Sequence, residues 1–246
     1  MTRGTAPRSD RGTRRRLRTR ARLIEAARRI IAERGGIDAV PIAEITDAAD
    51  VAIGSFYNHF DSREALFETV VSETLEEHGR RLDALGSEIA DVAEFCAAGM
   101  RLTMRMVEAD PIWGGFMIRM GTYLPELGWI LGRRLVRTLL RGIHSGRFTA
   151  ANEATTLAVV TGAVFGAMHA RLSQVLPGSF PDLLPDSLPE DADSLVAEQL
   201  LQLLGLPREE AAEIARRPLP QSSEQPLPAP DPNAGQELSI SRRTTP

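Results

Sequence analysis

Residues 40–67, VPIAEITDAADVAIGSFYNHFDSREALF, admit few local structures. They read as two short helices joined by a tight turn, followed by the start of a longer helix. The first, Pro41 to Ala49, opens on proline, which suits a helix's first turn because its missing N–H has no partner there anyway. Ile42 and Ile45 are three apart with Ala49 one turn on, while Glu44 and Asp47 fall on the other side. Asp50 sits at the turn, and aspartate tolerates the left-handed conformation better than most residues. Val51 would plug the angle between the helices. Residues 52–60, AIGSFYNHF, would form the second helix, with Phe56 and Phe60 facing inward. Its other face carries Ser55, Tyr57, Asn58 and His59, all hydrogen-bonding and none acidic. A helix entering the DNA major groove needs such side chains near its N-terminus. Taken alone, these nine residues leave two readings open: a recognition helix, or an amphipathic segment whose polar face is merely solvated.

A wider pattern separates them. RLIEAARRIIAERG (22–35), IAEITDAADV (42–51) and GSFYNHFDSREALF (54–67) together resemble the DNA-binding domain of the tetracycline-repressor-like (TetR) family over residues 15–75. The resemblance implies an all-α fold. An N-terminal three-helix helix-turn-helix domain would occupy residues 14–78 (motif 41–60), and a helical effector-binding and dimerisation domain residues 79–217. It also implies a homodimer on a palindromic double-stranded operator, released by a small ligand. Carried over residue by residue, Ser55 and Tyr57 would contact phosphate and base edges, Asn58 and His59 backbone or base. Arg63 would clamp phosphate where the family often has lysine, and Ala43 would offer its backbone N–H. Two positions depart from the pattern. Ala52 replaces the usual Ser or Thr cap, at a cost of about 1 kcal/mol. Ile53 stands where many relatives carry a polar residue; it cannot pair with phosphate but can touch a thymine methyl.

The charge distribution fits one nucleic-acid-binding pole. Net charge is −4, yet residues 1–34 hold twelve arginines against Asp10, Glu25 and Glu33, a local +9 that leaves −13 for the rest. All 29 basic residues are arginine. Residues 1–13 have no apolar period and are expected to be a disordered basic arm. No apolar run follows Arg14-Arg15-Arg16, so an export signal is a poor reading. Arg16 and its neighbours would instead add salt-dependent affinity for phosphate.

Leu17, Ala21, Ile24, Ala27 and Ile31, widened by Leu23, Ala26 and Ile30, predict a first helix over 14–33, ended by Gly35-Gly36. Ser62 would cap the long helix that follows, with a buried stripe of Leu66, Phe67, Val70, Val71 and Leu75. Further helices are predicted over 91–108, 111–123, 125–143, 151–175, 191–204 and 208–217. Residues 175–190 should be a loop and 218–246 a disordered Pro/Ser/Gln-rich tail. The helix at 151–175 is apolar all round. It stands alone and is interrupted by Thr155, Thr156, Thr161 and His169, so a membrane span is a poor reading. Gly162, Gly166 and Ala170 recur every four residues, the spacing that lets helices approach closely. A helix of this kind must be buried, against its own chain or a second copy. The resemblance favours the second, with Leu195 and Leu203 on the next helix.

Met100, Met104, Trp113, Phe116, Met117, Met120, Tyr123, Trp129 and Phe165 crowd the central helices. They suit a pocket for a small apolar or amphipathic effector, and equally a plain core. Arg119, His144 and His169 are candidate polar anchors. His59 and His78 fall on the DNA-binding side. Cys96, the one cysteine, reads as a small buried hydrophobe in a reducing cytoplasm. No phosphate-binding glycine loop, metal spacing or Ser/His/Asp set is present, and GIHSG (142–146) has His144 where a hydrolase elbow needs serine. An enzyme is therefore a poor reading, and no cofactor is expected. A non-specific architectural DNA-binding protein remains the alternative, against which the acidic body speaks.

Overall fold

A computed structural model describes residues 9–34, 40–123, 125–175, 177–178 and 187–220, with side chains at 9–11 and 119–132 undescribed. The described residues form ten α-helices: α1 Ser9–Arg34, α2 Ile42–Ala48, α3 Ile53–Phe56, α4 Arg63–Glu88, α5 Val92–Ala109, α6 Pro111–Tyr123, α7 Pro125–His144, α8 Glu153–Val175, α9 Ala192–Leu203 and α10 Arg208–Ala215. The all-α expectation holds, and every body helix lies within a few residues of its predicted span. Gly35-Gly36, residues 1–8, residues 221–246 and most of the 175–190 segment fall outside the described residues.

α1 begins at Ser9, inside the stretch expected to be a disordered arm. Residues 12–18 of this helix are all exposed, so helix here needs no apolar stripe. Leu17, assigned to the buried stripe, is 47% exposed for the same reason. Burial starts at Leu23 and continues through Ala26, Ala27, Ile30 and Ile31. These pack with Val40, Ile45, Ala49, Phe56, Phe60, Leu66, Phe67, Val70 and Val71 in one cluster that closes the N-terminal domain and runs on into the body.

Asp50 has φ +50°, the left-handed turn that the sequence asks for. Arg22 holds it there, donating to both the Asp50 carbonyl (3.0 Å) and its carboxylate (2.7 Å). Ser62 caps α4 by accepting from the Ala65 N–H at 3.1 Å, and Asp91 caps α5 through Ala93 N–H. At about 1.5 Å per residue, the 26 residues of α4 reach from the helix-turn-helix into the body. α5 is the centre of that body, packing against α4, α6, α7, α8, α9 and α10. The end of α10 is tied back to α5: Arg217 pairs with Glu94, while buried Arg101 pairs with Asp193 and donates to the Arg217 carbonyl.

Candidate nucleic-acid interface and ligand cavity

The recognition element is shorter than expected. α3 holds four residues, and 57–59 continue as turns rather than as helix to Phe60. Ala52, at its N-cap, makes no side-chain cap bond, the consequence foreseen for alanine at that position. Phe56 and Phe60 are buried, their rings 5.8 Å apart, and they hold the segment against the domain. Ile53 (55%) and Tyr57 (59%) are exposed, two large side chains facing solvent, the Tyr57 ring edge-on to Phe56 with centroids 5.3 Å apart. Ala43, Ala52 and Asn58 are exposed and Ser55 and His59 half-buried.

α1 lies beside this face. Arg16 donates to the Asn58 carbonyl at 3.3 Å. Gly12, Arg15, Arg16 and Thr19 form a shallow hollow with Ser55, Asn58 and His59. The helical start of α1 thus carries its arginines alongside α3. Burial, then the charges of Arg16 and Arg20, hold the His59 pKa below its ordinary value, which favours the neutral imidazole. Arg63 stands at the first turn of α4 but pairs with its neighbour Glu64 at 3.1 Å, so gripping a phosphate requires it to exchange that partner.

A cavity of about 390 Å³ lies in the body, walled by α4, α5, α6, α7 and α8, with Leu200 of α9. Of the residues expected there, Met100, Trp113, Met117 and Phe165 line it. Met104 and Phe116 do not; both are 0% exposed and are plain core. The side chains of Arg119, Met120, Tyr123 and Trp129 lie outside the described residues. Of the other anchors, His144 is on the surface, 3.0 Å from Glu153, and His169 is not in the wall.

His78 corrects a further expectation. It lies not on the DNA-binding side but in the cavity wall, 3% exposed. Its ring sits 5.0 Å from that of Trp113, with Nδ1 3.2 Å from Met106 Sδ and Nε2 3.3 Å from Thr103 Oγ1. The Thr103 hydroxyl is also 2.8 Å from the Gly99 carbonyl, to which it donates. Burial, then Arg81 and Arg134, push the His78 pKa down to about 3. The signal was present in the sequence: Val71, Leu75, His78 and Leu82 continue one stripe of α4 at spacings of 4, 3 and 4. Cys96 also lines the cavity, its thiol pushed up to about 12 by burial, so it stays protonated and inert.

The apolar helix α8 is not buried all round. Val159 is 47% exposed, and a Cβ on Gly162 or Gly166 would meet nothing within 4 Å. Leu203 of α9 is also 47% exposed and Leu195 half-buried. Ala170, assigned to the same stripe, is instead buried within the chain. Among the described residues no helix is long and apolar enough to cross a membrane, and no group of His, Cys, Asp and Glu could hold a metal ion.

Comparison with known proteins agrees with both halves. Residues 23–70 match the family model of bacterial regulatory proteins, tetR family, and residues 91–217 that of the tetracyclin repressor-like C-terminal domain. An uncharacterized HTH-type transcriptional regulator of Mycobacterium tuberculosis is 30% identical over 90 residues, 37% of this chain and 44% of the relative; the match thus spans less than half of that relative's length. The crystal structure of RolR in complex with the ligand resorcinol is 37% identical, covering 85% of this chain and 98% of RolR at a TM-score of 0.58. The fatty acid degradation regulator FadR from Bacillus halodurans, at 20% identity, 76% of this chain, 95% of its own and a TM-score of 0.56, shares the fold. With a helix-turn-helix at one end, a cavity in the helical body and family models matching each, the chain belongs to the tetR family of bacterial regulatory proteins.

Proposed function

We propose that this protein is a transcriptional repressor acting in the cytoplasm, a homodimer that leaves a palindromic operator when a small molecule fills the cavity between α4 and α8. The observation that carries the reading is the exposed face of α3, with Ile53, Tyr57 and Asn58 outward and the arginines of α1 alongside. Two copies place these faces in successive major grooves about 34–36 Å apart. The open faces of α8 and α9 support pairing through Gly162, Gly166, Leu195 and Leu203, and α4 runs between cavity and DNA end. Filling the cavity releases DNA only if the ligand prefers the released arrangement; a hundredfold loss of affinity needs about 2.8 kcal/mol of such preference. The resorcinol complex of the 37% identical RolR supports a small aromatic effector.

Selection of genomic fragments by the purified protein, washed at two salt concentrations, tests the reading. One palindromic site survives the higher salt if it is right; uniform binding lost at high salt leaves only an arginine-driven, non-specific binder. On that site, Tyr57→Ala and Arg63→Ala each weaken binding roughly tenfold, about 1.4 kcal/mol. The dimer mass measured by light scattering is unchanged. Normal binding by both variants refutes this docking.

A further inference from the structure

The cavity is apolar in its depth and charged at its edge. Met100, Trp113 and Met117 are buried, whereas Asp83 of α4 and Arg137 and Arg141 of α7 are exposed. The mouth therefore lies between α4 and α7. Arg134 spans it, donating from Nε to Asp83 Oδ1 at 3.2 Å and from Nη2 to Oδ2 at 2.7 Å. The guanidinium lies flat on α4 at Gly79, where an added Cβ would stand 2.5 Å from Nη1 and 2.6 Å from Cζ. Only glycine lets the arginine reach that carboxylate by this route. The pair thus does two things at once: it joins α7 to α4, and it sets an acceptor beside a donor at the entrance to an apolar space.

That combination selects a ligand chemistry. An ammonium meets Arg134, Arg137 and Arg141; a carboxylate is drawn by those three arginines but can take Arg134 only by facing the like charge of Asp83, which already holds that guanidinium. A hydroxyl both donates and accepts, so it satisfies Asp83 and Arg134 together and strips neither of a partner. The pair is solvent-exposed on the Asp83 side, 63%, and exposed ion pairs are weak enough for a ligand group to enter. Beneath it, neutral His78 and the Trp113 ring offer an aromatic body a dry, uncharged seat.

We infer that Asp83 and Arg134 form a hydroxyl-binding latch: a hydroxylated aromatic ligand donates to Asp83, accepts from Arg134, and by entering the pair parts α4 from α7. The inference rests on the cavity being the effector site and names the chemistry and the trigger of that site. Glycine at position 79 is part of the latch because it admits the guanidinium.

The test uses the full chain, read by the fluorescence of its two tryptophans and by release of an operator fragment. The probes are resorcinol, 1,3-difluorobenzene and benzoate. Resorcinol binds at least tenfold tighter than 1,3-difluorobenzene, and benzoate binds more weakly than resorcinol. Asp83→Asn costs resorcinol about tenfold and improves benzoate severalfold, an inversion that a merely structural role for Asp83 does not produce. Gly79→Ala keeps every charge, pushes the flexible guanidinium aside, and lowers unliganded operator affinity three- to tenfold with no fall in melting temperature. The latch is overturned if benzoate matches resorcinol in the native protein, if Asp83→Asn leaves both affinities unchanged, or if no probe binds at millimolar concentration. Absence of any selected operator sinks the regulator reading itself; a selected operator with failed probe results sinks the latch alone.

Discussion

Gly162→Arg abolishes dimerisation and lowers operator affinity by more than a hundredfold. At position 162, an exposed residue, an added Cβ meets nothing of its own chain within 4 Å, so a side chain there projects from the exposed face of α8. An arginine there must be desolvated for a second α8 to approach, and the partner copy brings the same charge to the same seam. The isolated fold does not suffer, since replacing a mid-helix glycine by arginine favours helix by about 0.5–1 kcal/mol. Light scattering should give 26.9 kDa for the variant and about twice that for the native protein. A single copy keeps one half-site, so anisotropy titrations should show a loss exceeding about 2.8 kcal/mol. A variant that remains a dimer would place the interface elsewhere.

Acidification to pH 5 destabilises the native protein by about 2 kcal/mol more than it destabilises His78→Gln. The native pKa is pushed down to about 3 from an ordinary 6.5. Between those values the unfolded chain takes up a proton that the folded chain refuses. Stability is therefore complete above pH 6.5 and lost as pH falls, at about 1.4 kcal/mol per unit, until the native pKa is reached. The carboxylates with depressed pKa, Glu64, Asp91 and Asp193, lose their stabilisation only below the ordinary carboxylate range, and His59, also held below its ordinary value, acts alike in both proteins, so the difference between them reports His78. Urea unfolding of both proteins at pH 7.5 and 5.0, at one protein concentration, checks this. Parallel losses in the two would show that His78 is hydrated and titrates freely.

The helix-turn-helix was legible because its constraints are local. Pro41, the Ile42–Ile45–Ala49 spacing, Asp50 at a positive φ and the Phe56–Phe60 pair each act within a few residues. Helix ends in the body followed from Asp91, Asp110-Pro111, Pro125 and Pro207 in the same way. What periodicity could not show is which neighbour a stripe faces. Met104 and Phe116 share the composition of Met100 and Met117, yet two are core and two line a cavity, because helix crossing decides the difference. The Asp83–Arg134 pair spans 51 residues, and no spacing rule reaches that far. α3 ended early because the chain after Phe56 is held by the burial of Phe60 and not by helical propensity, which Tyr57, Asn58 and His59 lack.

One rod carries residues of both sites. Arg63 and Asp83 lie at either end of twenty consecutive steps of α4, about 30 Å apart along its axis. A rotation of only about 5° pivoting near one end moves the other by about 2.6 Å over that length. That is close to a full hydrogen-bond distance. If α4 is the link proposed above, its stiffness alone carries a small change at the cavity to the DNA end, and a proline inserted midway would blunt the response without touching either site.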